Sequence, residues 1–130
     1  MDQYPNEVKF YFKHFPLNIH KYAKKASIAA LAAHKQGKFE AFHNELFKNQ
    51  RTLNDEMILE IAKELGLNIG AFEKDSRSAS VSNLVNRDMR EARRLGIRST
   101  PTVFINGKLL KRRNQKNFEL RINAELKKTP

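Results

Sequence analysis

Residues 8–13, near the start of the chain, show the first regular alternation of apolar and polar side chains. The apolar positions are Val8, Phe10 and Phe12, and the intervening positions are Lys9, Tyr11 and Lys13. A period of two places alternate side chains on opposite faces of a β-strand, so this pattern predicts a half-buried strand. The interleaved lysines favour a position near the edge of a sheet, and Pro16 ends the strand.

Residues 20–95 have a different pattern, in which apolar side chains recur every three or four positions, as in amphipathic helices. Five helical segments are predicted: residues 20–36, residues 39–49, residues 55–65, a short helix containing Ile69 and Phe72, and residues 81–95. Asn54 and Asn68 are suited to cap two of these helices, because an asparagine side chain accepts a backbone hydrogen bond at a helix N-terminus. Glycines after three of the segments predict their C-terminal ends.

The C-terminal part of the chain predicts a β-hairpin followed by one more helix. Residues 102–105 are β-branched or aromatic and are followed by Asn106-Gly107, which is the strongest short signal for a hairpin turn. Residues 108–110 would form the return strand. Phe118, Ile122 and Leu126 then have the spacing of a closing amphipathic helix.

Composition restricts the chemistry that is available. The chain has 130 residues, 40% of them hydrophobic, with nine Phe and no Cys. This length predicts one domain with a real core. The lack of cysteine excludes disulfides, a thiolate nucleophile, a CxxC pair and a cysteine zinc site within these residues. No apolar run approaches the roughly 18 residues of a membrane span, and the first residues do not resemble a signal peptide, so no membrane partner is predicted.

Positive charge is concentrated in the second half of the chain. The formal net charge is +11, and residues 66–130 carry 15 basic and 6 acidic side chains. One basic cluster, which could contact phosphate, consists of Lys108, Lys111, Arg112, Arg113 and Lys116. The favoured interpretation is a solvated surface, and a nucleic-acid partner is not predicted. A second run, formed by Arg87, Arg90, Arg93 and Arg94, is interrupted by Asp88 and Glu91 and predicts a solvated helix face with internal ion pairs.

The histidines do not predict a metal site. His14, His20, His34 and His43 include no pair at the spacing of a known metal-binding motif. His14 and His20 are instead expected to orient the loop after the first strand. There is also no glycine-rich phosphate loop and no Ser-His-Asp order, so no cofactor is predicted.

Several segments in order resemble one known family. They are His14-Phe15-Pro16-Leu17, Gln36-Gly37-Lys38-Phe39, Leu65-Gly66-Leu67, Leu95-Gly96-Ile97 and, most specifically, Ser99-Thr100-Pro101-Thr102-Val103-Phe104-Ile105-Asn106-Gly107-Lys108. Together they resemble the DsbA-like branch of the thioredoxin superfamily, which are protein thiol:disulfide oxidoreductases. The resemblance implies an α/β, thioredoxin-like fold with a helical insertion at residues 20–95 and a C-terminal strand-hairpin-helix at residues 97–128.

The chain departs from this family in two places. Family members begin with a strand and a Cys-x-x-Cys turn that opens the first helix, and the segment at residues 8–13 resembles their second strand. The expectation is therefore a truncated domain, residues 1–130, that lacks the first strand and the start of the first helix. The other departure follows Lys108, where Lys111-Arg112-Arg113 replaces a small Gly-Ala step.

The resemblance also implies a substrate-binding site. In this family the bond before the equivalent of Pro101 is cis, and the loop pairs with an extended substrate peptide. The candidate substrate-binding residues are Ser99, Thr100 and Pro101, and no catalytic residue is predicted because the chain has no cysteine.

Two functions remain open on sequence grounds. One is that the chain is part of a DsbA-like oxidoreductase and is redox-inactive by itself. The resemblance implies a family that is typically found outside the cytoplasm. The other is a complete, non-catalytic thioredoxin-fold module that binds a peptide, an acidic protein or a nucleic acid; a glutathione-using relative of the fold is a more distant third.

The absent central strand leaves three structural alternatives. The two strands on either side of it pair directly, a second copy fills the gap, or an N-terminal fragment restores the strand. Self-association into a homo-oligomer through exposed sheet edges is the expectation.

Overall fold

Backbone hydrogen bonds define six helices and one short two-stranded sheet in the computed structural model, which describes residues 2–17 and 20–128. In chain order the elements are α1 (Ala23–His34), α2 (Phe39–Lys48), α3 (Asp55–Glu64), α4 (Ile69–Ser76), α5 (Ala79–Arg94), β1 (Phe104–Ile105), β2 (Lys108–Leu109) and α6 (Gln115–Leu126). The chain divides into two compact units. The helical unit is Lys13–Gly96, and the hairpin unit combines the described residues up to Phe12 with those from Ile97 onward.

Local capping explains where the helices of the helical unit begin and end. Asn54 Oδ1 accepts the amide of Met57 at 2.7 Å, and Asn68 Oδ1 accepts the amide of Ala71 at 2.9 Å. These contacts satisfy backbone donors that a helix N-terminus leaves unpaired. The five predicted helical segments and both asparagine caps are confirmed. The sequence pattern missed Ser78, whose Oγ caps α5.

Small residues on α1 organise the core of the helical unit. The buried face of α1 consists of Ala29, Ala30, Ala32 and Ala33. Because alanine adds little bulk, α2 and α4 can approach this face closely, and both pack against α1. Phe42 of α2 and Phe72 of α4 are buried in the same cluster, with ring centroids 5.6 Å apart.

The hairpin unit contains the predicted turn. β1 and β2 are antiparallel, with Phe104 opposite Leu109 and Ile105 opposite Lys108. Asn106 has φ of 47° and Gly107 has φ of 77°, both in the left-handed region that a two-residue hairpin turn requires. The amide of Leu110 also donates to Val103 O at 2.9 Å. The hairpin is therefore confirmed, although its strands are shorter than predicted.

Charged and polar side chains attach this hairpin to α6. Lys108 Nζ on β2 lies 3.1 Å from Glu125 Oε1, and Lys128 Nζ lies 3.0 Å from the same oxygen. Hydrogen bonds from Lys128 and Lys108 lower the pKa of Glu125 to about 2. In the same unit, the Tyr4 hydroxyl donates to Asn123 Oδ1 at 3.1 Å.

The strand predicted at residues 8–13 is wrong. In the described part of the chain these residues pair with no strand, and the one sheet consists of β1 and β2. Phe10 is 71% exposed and Tyr11 is 75% exposed. The alternating pattern predicts the face on which each side chain would lie, but a strand also needs a ladder of backbone hydrogen bonds to a neighbouring strand, and the one described sheet does not include residues 8–13. Direct pairing with residues 102–105, one of the alternatives above, is thus not observed. None of the described helices is long and apolar enough to cross a membrane.

Candidate functional site

Residues 99–101 form an exposed loop that leads into β1. Ser99, Thr100 and Pro101 are all exposed, and the Thr100–Pro101 peptide bond is cis. The Thr102 hydroxyl donates to Ser99 O at 2.7 Å and so closes the loop on itself. Thr102 was not among the predicted site residues, although a threonine hydroxyl in a turn commonly bonds to a nearby backbone group.

Backbone groups of this loop lack backbone hydrogen-bond partners among the described residues. Within residues 2–17 and 20–128, no backbone hydrogen bond outside the regular elements engages Thr100 or Thr102. An extended peptide binds a strand edge through such N–H and C=O groups. None of the side chains of this loop can act as a thiol nucleophile.

The helical unit contains a buried carboxylate that the sequence pattern did not identify. Asp88 on α5 is 6% exposed, and its Oδ2 accepts the amide of His14 at 3.0 Å. Its Oδ1 lies 3.8 Å from Lys13 Nζ and 3.6 Å from Arg87 Nη2. A signal was available, since Asp88 occupies the helix face that also carries the buried side chains of α5. Asp88 thus holds the segment before α1 against α5.

Three histidines surround one aromatic ring in the same unit. The ring centroid of Phe39 lies 5.9 Å from that of His14, 6.0 Å from that of His34 and 5.4 Å from that of His43. Burial lowers the pKa of His14, against an opposing effect of Asp88, and burial also lowers the pKa of His43. Both imidazoles are therefore biased towards the neutral form at neutral pH.

His20 lies apart from the three histidines around Phe39. His20 is exposed, and its amide donates to Leu17 O at 3.1 Å in the turn before α1. The structure does not bring His20 to the cluster around Phe39. Among the residues that the structure describes, no three His, Asp or Glu side chains are grouped so that they could hold a metal ion.

The arginine run on α5 differs from its prediction. Arg87 pairs with Asp88, but Glu91 is bound by Lys13 at 3.2 Å. Arg90, Arg93 and Arg94 make no ion pair with any described residue. The expectation of internal ion pairs along this face is therefore wrong for three of the four arginines, because Lys13 from another segment binds the acid that was expected to neutralise them.

Comparisons with known proteins agree with the fold. A family profile described as "DSBA-like thioredoxin domain" matches residues 6–123. The crystal structure of a thioredoxin-like oxidoreductase from Silicibacter pomeroyi superposes with a TM-score of 0.73 and 26% identity, covering 91% of this chain and 68% of that one.

Two curated relatives extend the comparison. The chain is 30% identical over 112 residues to a probable disulfide bond formation protein D of Bacillus cereus, covering 79% of this chain and 51% of the relative. It is 34% identical over 106 residues to a Na(+)/H(+) antiporter NhaA 1 of a Mycobacterium species, covering 79% of this chain and 17% of that protein. The chain therefore spans about half of the first relative and a minor part of the second.

These observations define a thioredoxin-like protein of the α/β class. More specifically, the chain belongs to the DSBA-like thioredoxin domain family, a family of thioredoxin-fold oxidoreductases. It contains no cysteine.

Proposed function

We propose that this chain provides the polypeptide-binding part of a DsbA-like protein thiol:disulfide oxidoreductase. Ser99, Thr100 and Pro101 form the binding surface. The observation that carries this proposal is the exposed loop at residues 99–101, just before β1, in which Thr100 and the neighbouring Thr102 have no backbone hydrogen-bond partner among the described residues. An unfolded substrate would lie along this loop as an added strand.

The redox step of this function would need sulfur atoms from outside these 130 residues. In thiol-disulfide exchange, a thiolate attacks one sulfur of a disulfide, a mixed disulfide forms, and the other sulfur leaves as a thiolate. Family membership and the similarity to a protein named for disulfide bond formation support a role in disulfide exchange. The chain alone is expected to bind substrate and to catalyse no exchange, because it has no cysteine.

Peptide binding at the loop can be tested with a substitution that removes one backbone donor. Thr100→Pro eliminates the amide of Thr100, so we expect it to weaken the binding of a fluorescently labelled unfolded peptide by about tenfold or more. Fluorescence anisotropy measures the dissociation constant, and circular dichroism checks that the variant is folded.

The matched control is Thr100→Ser, which keeps the backbone donor and the hydroxyl and should retain the wild-type affinity. Chemical shifts of the amides at residues 99–102 should move when the peptide is added to the wild-type chain. The proposal fails if these shifts do not move, or if both variants lose affinity to the same degree.

We also propose that two copies of the chain associate through residues 8–13 and the open edges of the hairpin. Residues 8–11 lie outside the sheet, Phe10 and Tyr11 are largely exposed, and Phe104 and Leu109 of the hairpin are 41% and 48% exposed. Unpaired strand edges with exposed apolar side chains are sites of strand pairing between chains.

Sedimentation velocity at tens of micromolar tests this association, and we expect a dimer or larger species. Phe10→Lys should shift the chain towards the monomer, because a charge on the pairing face opposes a second copy. Leu120→Lys, at an exposed position of α6, is the control and should leave the distribution unchanged. A wild-type chain that sediments as a monomer contradicts the proposal.

A further inference from the structure

A groove lies between α1 and α5 in the helical unit. It has a volume of about 410 Å³ and is lined by Lys24 of α1 and by Asn86, Met89, Arg90 and Arg93 of α5. The α5 residues are spaced three, four and seven positions apart, so they share one face of the helix. These five residues are called the α1–α5 groove below.

The cations of the α1–α5 groove have no ion-pair partner among the residues that the structure describes. Lys24, Arg90 and Arg93 are exposed, and none of them forms an ion pair or a side-chain hydrogen bond with another residue in the described ranges. The acids nearest in sequence, Asp88 and Glu91, are engaged by Lys13 instead.

The three cations line one groove and repel each other. Like charges at helical spacing are unfavourable, and a bound anion would remove this cost. The neighbouring Arg94 also lacks an ion pair in the described chain and adds to the positive potential of this side of α5.

We infer that the α1–α5 groove binds a small phosphate-bearing anion with at least two negative charges. Guanidinium groups match phosphate oxygens with two parallel hydrogen bonds, and a lysine ammonium adds a third cation from the facing helix. The Asn86 amide can donate to a further oxygen, and Met89, 9% exposed, provides an apolar floor. The volume lies within the range of small-molecule sites.

Calorimetric titration with pyrophosphate at about 50 mM salt tests the inference. We expect saturable binding with one site per chain. The double substitution Arg90→Gln with Arg93→Gln should weaken it by about tenfold or more. The control is Arg112→Gln with Arg113→Gln, which removes the same two positive charges from exposed residues of the hairpin unit and should leave the affinity within about twofold of wild type.

A second variant tests whether α1 contributes to the binding site as well as α5. Lys24→Gln lies on α1 and should also weaken pyrophosphate binding, and circular dichroism should show all variants folded. Absence of saturable binding, equal weakening by the groove and control double variants, or citrate binding as tight as pyrophosphate would each overturn the inference.

Vesicles distinguish a soluble phosphate ligand from a lipid headgroup. Flotation with vesicles of phosphatidylglycerol and phosphatidylcholine is compared with flotation on phosphatidylcholine alone. Vesicle binding that pyrophosphate displaces, and that the groove variant lacks, assigns the site to a phospholipid headgroup. Pyrophosphate binding without vesicle binding assigns it to a soluble phosphate compound. Vesicle binding that the groove variant retains contradicts the site.

Discussion

Replacement of Phe42 by alanine is expected to lower the free energy of unfolding of the helical unit by about 3–5 kcal/mol. Phe42 is fully buried, and its ring is 5.6 Å from that of Phe72 against the alanine face of α1. Truncation removes this apolar surface and leaves a cavity that the short alanine side chains cannot fill. Folded domains have about 5–15 kcal/mol of stability in total, so the loss is a large fraction. Urea denaturation followed by circular dichroism measures it.

Phe47→Ala is the matched control on the same helix. Phe47 is 58% exposed, so its truncation removes little buried surface and should cost less than about 1 kcal/mol. Equal losses for the two variants would contradict the assignment of Phe42 to the core.

Replacement of Asp88 by alanine is expected to lower the free energy of unfolding by about 2–3 kcal/mol. The substitution leaves the buried amide of His14 without its acceptor and removes the carboxylate that Lys13 and Arg87 approach. A hydrogen bond to a charged acceptor is stronger than a neutral one, and a buried donor without a partner is costly. The same denaturation experiment measures the change.

Glu91→Ala provides the comparison for Asp88, because Glu91 also binds Lys13 but its side chain is 39% exposed, whereas that of Asp88 is 7% exposed. Exposed ion pairs contribute about 0–1 kcal/mol, so this variant should be close to wild type. A second readout is specific to the contact with His14. Since Asp88 opposes the effect of burial, the pKa of His14 should fall further in Asp88→Ala and stay unchanged in Glu91→Ala. A large stability loss without this change in the pKa of His14 would contradict the contact between Asp88 and His14 as the source of the stabilisation.

The helices could be predicted from the sequence because their signals are local. The caps of α3 and α4 depend on Asn54 and Asn68 and on amides three residues further on, and both were predicted correctly. The Asn106-Gly107 turn is equally local, because both residues adopt the positive φ that the hairpin needs. Residues 8–13 show the limit of this reasoning, since their alternation says nothing about whether a neighbouring strand is available.

The candidate sites were less predictable for the same reason. The loop at Ser99, Thr100 and Pro101 was found through a family resemblance, and its residue types alone would not have identified it. Asp88 contacts His14, which lies 74 positions away in the sequence. The positive charge of the α1–α5 groove was not predicted, because the sequence does not show that Glu91 pairs with Lys13. Pairings between distant segments cannot be read from spacing along one helix.

Glu125 gives the hairpin an attachment that is resistant to acid. An ordinary glutamate is half protonated near pH 4.3, whereas Glu125 keeps its charge until the pH falls to about 2. Because the pKa is lower in the folded state than in the unfolded chain, its stabilising effect is present above the ordinary value and is lost as pH falls towards 2. The contact between β2 and α6 therefore persists in mildly acidic surroundings.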